Sequence, residues 1–298
     1  MDRKEQVSKP DIAEFHSLET EELPRFPVVF VQPPDMPVDE SLCGAEDFQD
    51  VERYDGTLGV TKEFVNAHQA PVGQIQWNDD LASKYTHPGN VSGERWGSGT
   101  LISEDLFLTA GHCFSQNPDG WTVPRINGTN NPISSQEIAK NMRVNFNYQV
   151  DPSNTPKPEQ SFAVLELIEY GQDLGGLDFA IVRLDGNPGQ MFGHTKVAKL
   201  DAKLNEMVCI IQHPAGRMKQ VEAGPVTFLQ EGDERIGYNS LDTLGGTSGS
   251  GILLSPDGTI VGVHTNGGCT SSAQGFNYGV RISSLLEISP TLQSISNN

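Results

Sequence analysis

The sequence has few positive charges for its length. Of its 298 residues, 20 are Lys or Arg and 39 are Asp or Glu, which gives a net charge of −19. Binding to a phosphate backbone or to an anionic membrane surface depends on a basic patch. From this composition we expect neither a nucleic-acid-binding protein nor a protein that polybasic segments hold at a membrane.

Long hydrophobic runs are also absent. The longest early apolar stretch is Val28–Val31, and no later stretch reaches 18 apolar residues. A signal peptide and a membrane span both need a longer run. We therefore expect a soluble protein without membrane insertion and without a standard secretion signal in the sequence as it stands. Such a protein stays inside the cell or leaves it by a route that this pattern does not reveal.

The cysteines are few and lack metal-ligand spacing. The sequence has four cysteines and no C-x₂-C pair, and its histidines outside the segments discussed below are scattered. This pattern predicts no zinc site and no other metal. An even number of cysteines permits two disulfides, but composition alone favours buried free thiols. The four residues are Cys43, Cys113, Cys209 and Cys269.

Glycine and proline, by contrast, are plentiful, with 31 and 19 residues. From Pro71 onward, short apolar or alternating runs recur between turn signals such as Ser255-Pro-Asp-Gly258. This pattern of short strands and turns predicts an all-β sandwich or a pair of barrels. The connection between the two halves is expected near residues 186–194, and a short C-terminal helix is expected within 283–295. Examples of these runs are Val72–Trp77, Leu106–Thr109, Phe162–Tyr170, Phe179–Leu184, Met207–Gln212, Gly251–Leu254 and Ile260–His264.

The first 70 residues differ from the rest of the chain. They carry 16 acidic and 6 basic residues, so about half of the excess negative charge lies in less than a quarter of the sequence. Residues 1–40 are rich in Pro, Glu and Asp and show no sustained hydrophobic period. We therefore predict an acidic extension over 1–70, a first barrel over 71–190 and a second barrel over 191–298.

Three segments together carry the chemistry of nucleophilic catalysis. An apolar strand ends in a small-residue turn with His112, Asp178 stands at the head of an apolar strand, and Ser248 lies in a glycine-dense loop. A serine needs an adjacent base, a neutral imidazole can serve as that base, and a carboxylate can fix the imidazole tautomer. The backbone N–H groups of Gly246 and Ser248 would stabilise the oxyanion.

Each of these signals alone is ordinary. A lone histidine at a strand end is usually structural, an aspartate before a strand is usually a cap, and a Gly-Ser run is usually a flexible loop. The occurrence of all three in one sequence is what indicates a catalytic site. His112, Asp178 and Ser248 occur in the chymotrypsin-type order, separated by 66 and 70 residues, which suits two barrels with a catalytic cleft between them.

At the level of motifs, the sequence resembles the chymotrypsin-like serine peptidases, and within them the bacterial glutamyl endopeptidases. The matching segments are Thr109-Ala-Gly-His112-Cys113, Asp178-Phe-Ala-Ile-Val, Thr243 to Ser250 and Gly262-Val-His264, and the resemblance covers about residues 41–285. It implies two antiparallel Greek-key β-barrels with the cleft between them and a short C-terminal helix. It also implies a serine endopeptidase that acts on protein or peptide substrates, as a monomer and without a cofactor.

The same resemblance places Thr243 and His264 in the pocket for an acidic P1 side chain. Two features leave the specificity open. Gly251 replaces the proline that usually follows the serine motif, and Asp242 would favour a basic P1 residue if it pointed into the pocket. A barrel pair that has lost catalysis and only binds a partner is a further alternative. His213, at a predicted strand end, is assigned a structural role.

The resemblance also bears on the cysteines and on the N-terminus. The usual bridge partners of Cys113 and Cys269 are missing, so free thiols follow unless Cys43 reaches one of them. Because glutamyl endopeptidases are made as precursors, residues 1–40 are predicted to be a propeptide that is cut near Glu40, before Ser41. A permanent disordered tail is the alternative.

Overall fold

The computed structural model describes residues 41–270, 272 and 274–297. The predicted propeptide lies outside these residues. None of the described helices is long and apolar enough to cross a membrane.

The strands are β1 (Gln49–Asp50), β2 (Val72–Trp77), β3 (Arg95–Leu101), β4 (Leu106–Thr109), β5 (Met142–Phe146), β6 (Gln160–Tyr170), β7 (Ala180–Leu184), β8 (Met207–Gln212), β9 (Gln220–Pro225), β10 (Phe228–Leu229), β11 (Arg235–Tyr238), β12 (Gly251–Leu254), β13 (Ile260–Asn266) and β14 (Asn277–Arg281). The helices are α1 (Lys62–His68), α2 (Leu81–Lys84), α3 (Ser135–Lys140), α4 (Pro188–Phe192), α5 (Ile282–Ile288) and α6 (Pro290–Ser296).

The first body is a closed barrel of six antiparallel strands in the order β2-β3-β4-β7-β6-β5. Every residue of β2 and β3 is buried. The interior is filled by aliphatic and aromatic side chains, with the Phe107 and Phe146 rings packed edge to face at 6.1 Å. Because the barrel is closed, each strand pairs with a neighbour on both sides and none forms an exposed edge.

The second body is an eight-stranded antiparallel sheet that is open rather than closed. Its order is β1-β9-β8-β12-β13-β14-β11-β10. The predicted all-β class with two packed bodies and a short C-terminal helical segment is thus confirmed, but the second body forms only part of a barrel. Both edge strands, β1 and β10, have two residues, and short edges of this kind limit pairing with other chains.

One apolar core joins the two bodies. Val72, Ile102 and Ile181 of the barrel pack in the same cluster as Leu253 and Val263 of the sheet. Because this cluster lies between the bodies, it fixes their relative position. The loops that carry the predicted catalytic residues therefore lie on a rigid base.

The N-terminal residues 41–70 are folded onto the second sheet. β1 pairs with β9 through Gln49 and Val221, and α1 buries Phe64 and Val65 in the shared core. Cys43 forms a disulfide with Cys269. This bond is the exception that the sequence left open, in which Cys43 reaches one of the other cysteines. Cys113 and Cys209 are buried and take no part in it.

The C-terminal helix predicted over 283–295 is two helices, α5 and α6, separated at Ser289. Pro290 cannot continue α5, and the Ser289 hydroxyl accepts a hydrogen bond from Leu292 N–H at the start of α6. Glu169 of β6 bonds Ser289 and accepts from Thr291 N–H at 2.9 Å. These contacts fasten the chain end to the first barrel.

Candidate active site

His112 lies in a tight helical turn, Gly111–Phe114, directly after β4. Its backbone N–H donates to Oδ1 of Asp178 at 2.8 Å, and its Nδ1 lies 2.7 Å from Oδ2 of the same carboxylate. One carboxylate thus fixes both the backbone and the ring of the histidine. The His112 side chain is 43% exposed, so the imidazole is accessible from the cleft.

Asp178 reaches this position because β4 and β7 are neighbours, with Thr109 opposite Ala180. Burial would raise the pKa of Asp178, but the charge of His112 and hydrogen bonds from His112 and Gly111 outweigh burial and lower the pKa. The group is therefore a carboxylate near neutral pH. Such a carboxylate orients the imidazole and stabilises its protonated form.

Ser248 lies in the loop between β11 and β12, against the first barrel. Its carbonyl accepts from Ser98 N–H of β3 at 2.9 Å, and the next residue, Gly249, donates its N–H to the His264 carbonyl at 2.8 Å. A Cβ built on Gly97 would lie 2.9 Å from Sγ of Cys113 and 3.3 Å from the Ser248 carbonyl oxygen. The His112 turn and the Ser248 loop therefore converge on one point of β3.

The peptide groups on both sides of Gly246 are held by hydrogen bonds from two other parts of the chain. Ser98 Oγ donates to the Gly246 carbonyl at 2.7 Å, and Ala215 N–H donates to the Gly245 carbonyl at 2.6 Å. Gly246 has φ +101°, and a Cβ there would lie 2.8 Å from the His213 carbonyl. Only glycine fits this turn, which sets the direction of the Gly246 N–H.

His264 is fully buried on β13, and its Nδ1 is hydrogen-bonded to the Tyr238 hydroxyl of β11. Burial, reinforced by the charge of His112, lowers the pKa of His264 to about 3. The ring is therefore neutral in the free protein. Thr243, also buried, accepts a hydrogen bond at its Oγ1 from Ser41 N–H at 3.3 Å.

Asp242 is directed towards the N-terminal segment. Its Oδ1 accepts from Cys43 N–H at 2.6 Å, and its Oδ2 accepts from Asp47 N–H at 3.2 Å. The carboxylate thus satisfies backbone donors of the segment that precedes β1. This orientation does not fit the alternative in which Asp242 selects a basic side chain.

His213 has the structural role that its position predicts. Its ring is buried and stacks on Tyr148 at 5.7 Å, with Nδ1 3.1 Å from the Arg217 carbonyl. Burial, with the charge of Lys219, lowers its pKa well below the usual value. A neutral, enclosed imidazole of this kind supports the turn beside Gly246.

Several residues of the site were not identified from the sequence. Ser98 begins the segment that leads to His112, but nothing local indicates that its hydroxyl holds the serine loop. Tyr238 lies in a strand that carries no motif. Asn277 is a buried hub whose Nδ2 donates to the carbonyls of Ser41 and Leu241 and whose Oδ1 accepts from Cys269 N–H. These contacts join distant segments, so only the fold reveals them.

A groove of about 960 Å³ adjoins His112 on the barrel side. The turn after His112, the start of α3 and the β6–β7 connection form its walls. Its lining is mixed, with Leu167 and Tyr170 beside Gln116 and Asp173. The groove is large enough for several side chains of an extended peptide.

Comparison with known proteins agrees with this geometry. The sequence model of the trypsin-like peptidase domain matches residues 97–263. Secreted RxLR effector protein 73 of Plasmopara viticola is 28% identical over 247 residues, which are 78% of this chain and 53% of that protein. The chain thus spans about half the length of this curated relative.

Two solved structures share the fold. A Glu endopeptidase in complex with MPD superimposes with a TM-score of 0.53 at 20% identity, covering 85% of this chain and 96% of its own. Human heparin binding protein gives a TM-score of 0.51 at 14% identity, with 77% and 92% covered. The matched domain occupies more than half of the sequence and contains all three motif segments. The chain therefore belongs to the trypsin-like peptidase family, with the fold of the chymotrypsin-like serine endopeptidases.

Proposed function

We propose that this chain hydrolyses peptide bonds with Ser248 as the nucleophile, His112 as the general base and acid, and Asp178 as the residue that orients the imidazole. The observation that carries this proposal is the double contact of Asp178 with the backbone and the ring of His112, at 2.8 and 2.7 Å. The contact at Nδ1 leaves Nε2 as the nitrogen that takes part in proton transfer.

In the proposed reaction, His112 removes the proton of the Ser248 hydroxyl as its oxygen attacks the scissile carbonyl. The negative charge that develops on the carbonyl oxygen is stabilised by the N–H groups of Gly246 and Ser248. His112 then donates the proton to the leaving amine, and an acyl-enzyme remains. Water, deprotonated by His112, attacks the ester carbonyl. The bond to the Ser248 oxygen then breaks, His112 returns the proton to that oxygen, and the second product leaves as a carboxylic acid.

An acidic P1 side chain is the specificity that the pocket supports best. Thr243 and His264 have the residue types for it, and the adjacent Asp242 carboxylate is engaged by the Cys43 and Asp47 backbone. A carboxylate entering beside a neutral His264 would raise the pKa of the ring and allow a charge-assisted hydrogen bond. A basic P1 side chain would find no counter-charge from Asp242.

The N-terminal segment completes this pocket in the proposal. Ser41 N–H lies 3.3 Å from the Thr243 hydroxyl. Cleavage after Glu40 would turn that N–H into an α-amino group, and its positive charge would help to hold an acidic P1 side chain. Residues 1–40 would then be a propeptide, which the enzyme itself could remove because Glu40 is an acidic P1 residue.

The test of catalysis is the reaction of the purified protein with a fluorophosphonate probe, followed by peptide hydrolysis. Ser248→Ala should abolish labelling and lower kcat by a factor of about 10⁴ or more while the protein stays folded. The matched control is Ser250→Ala, which removes a neighbouring buried hydroxyl that donates to Thr247 O. Full activity in Ser248→Ala, or a wild-type protein that begins at Ser41 and neither labels nor cleaves, would contradict the assignment.

The test of specificity is a pair of peptides that differ only by Glu or Gln at P1. The wild type should prefer Glu, and His264→Ala should remove that preference with a smaller loss on the Gln peptide. Sequencing of the N-terminus of active protein tests the processing step separately. Fully active enzyme that still begins at Met1 would rule out the propeptide.

A further inference from the structure

Three carboxylates from distant parts of the chain meet behind the candidate pocket. Asp47 precedes β1, Glu222 lies in the middle of β9, and Asp242 follows β11. One oxygen of each lies within 4.8 Å of the others. β1 pairs with β9 and Asp242 binds the backbone of the segment before β1, so the fold itself brings the three groups together.

Glu222 is the member of this cluster that needs an explanation. Its side chain is fully buried, and neither carboxylate oxygen has a hydrogen-bond partner within 3.5 Å among the described residues, although the Asp242 N–H and the Asp47 side chain interact with it more weakly. Its carboxyl group is directed at Asp47 and Asp242, which are themselves acidic. A buried charged group without a partner is costly, so natural proteins rarely keep one unless it serves a further purpose.

The described residues supply this cluster with no compensating cation. Within the described part of the chain, no Lys or Arg forms an ion pair with any of the three carboxylates. The cluster must therefore take up either a proton or a cation from solution.

We propose that Asp47, Glu222 and Asp242 form a binding site for a divalent cation of the Ca²⁺ type. Carboxylate oxygens are the ligands preferred by hard cations, and Ca²⁺ binds six to eight oxygens at roughly 2.4 Å. Two oxygens bound to one such ion are at most about 4.8 Å apart, and the three carboxylate oxygens lie within that distance of one another. Asp47 is exposed and provides the path of entry from solvent.

The position of this site gives it a defined effect. The cation would join the segment before β1 to the sheet through Asp47 and to the loop of Thr243 through Asp242. It would thereby hold residues 41–47 beside the candidate pocket, where Ser41 contacts Thr243. The effect on the pocket depends on the proposed function, whereas the binding itself does not.

The experiment measures binding on the full chain carrying Ser248→Ala, so that self-cleavage and catalysis play no part. The protein is freed of metal with a chelator, dialysed and titrated with CaCl₂ in a calorimeter, and its Tm is measured with and without Ca²⁺. At about 100 times the Kd, Ca²⁺ should raise the Tm by roughly 5–10 °C. MgCl₂ should produce a smaller shift, because Mg²⁺ requires shorter and more regular coordination.

Two variants and a control locate the effect. Asp47→Asn, at an exposed position, and Glu222→Gln, which keeps the side-chain shape, should each weaken Ca²⁺ binding at least tenfold. Glu63→Gln, an exposed substitution on the nearby α1, should keep wild-type binding. The absence of binding heat and of a Tm shift with 10 mM CaCl₂ would overturn the proposal and assign a proton to the cluster. An unchanged Ca²⁺ response in Asp47→Asn and Glu222→Gln would also overturn it.

Discussion

Ser98→Ala is expected to weaken both the fold and catalysis, because a single hydroxyl group joins the two bodies behind the serine loop. Ser98 Oγ donates to the Gly246 carbonyl at 2.7 Å and accepts from His213 N–H at 2.9 Å. All three residues are buried. Alanine would leave one buried acceptor and one buried donor without a partner. Each such group costs about 1–3 kcal/mol, so the free energy of unfolding should fall by about 2–6 kcal/mol.

The effect on activity follows from the position of Gly246. Ser98 holds the carbonyl of the Gly246–Thr247 peptide, whereas the Gly246 N–H belongs to the preceding peptide, whose Gly245 carbonyl keeps its contact with Ala215. The variant would therefore loosen the Gly246 N–H through the adjoining peptide. Complete loss of an oxyanion donor costs about 10²–10³ in kcat, so a loosened donor should cost roughly 10- to 100-fold. The loss should appear mainly in kcat, because the oxyanion contact is made in the transition state.

The assays are urea unfolding and steady-state hydrolysis of a peptide substrate at a temperature where the variant is fully folded. Thr100→Val is the matched control on the same strand, because its buried hydroxyl has no hydrogen-bond partner among the described residues. That control should keep wild-type stability and activity. If Ser98→Ala retained kcat within twofold of the wild type, Ser98 would not position the serine loop, whatever its effect on stability.

Three further outcomes are expected. Replacing Cys43 and Cys269 by serine should lower the free energy of unfolding by up to about 5 kcal/mol in urea titrations, because their bond closes a loop of 226 residues; a change below 1 kcal/mol would contradict this. Gly249→Ala should destabilise the protein by more than about 2 kcal/mol in the same assay, since φ is +91° and the added Cβ would lie 2.0 Å from Thr109 Oγ1. Burial lowers the pKa of Lys219 from 10.5 to about 7, so its charged form is disfavoured in the folded state. Its contribution to stability is therefore present above pH 10.5 and is lost as the pH falls towards 7. Lys219→Met should flatten that part of the stability profile in unfolding titrations, and an unchanged slope would refute it.

The catalytic candidates could be predicted because each one carries a local signal. A strand end before His112, an apolar strand after Asp178 and dense glycines around Ser248 are visible within about ten residues of sequence. The hairpin at Ser255–Gly258 was predictable for the same reason, and it joins β12 to β13 as expected. Short-range backbone preferences determine features of this kind.

The remaining features depend on contacts between distant segments. β9 and β11 were not predicted, because Gln220–Pro225 and Arg235–Tyr238 contain polar residues and glycines instead of a clear apolar alternation. The Cys43–Cys269 bond and the acidic cluster behind the pocket join residues that are far apart in sequence. No spacing rule covers such pairs, so they follow only from the tertiary fold.

The pairing of β1 with β9 makes the second sheet depend on both ends of the chain. All strands of the closed barrel lie within residues 72–184, whereas Gln220 of the sheet bonds Asp50, 170 residues earlier. During synthesis the barrel can therefore fold from one continuous stretch of the chain. The second sheet can form only after its later strands have been made, and its edge strand β1 is synthesised before the barrel. A fragment that began after the barrel would lack that edge, so the two halves are not independent units that could be exchanged between proteins.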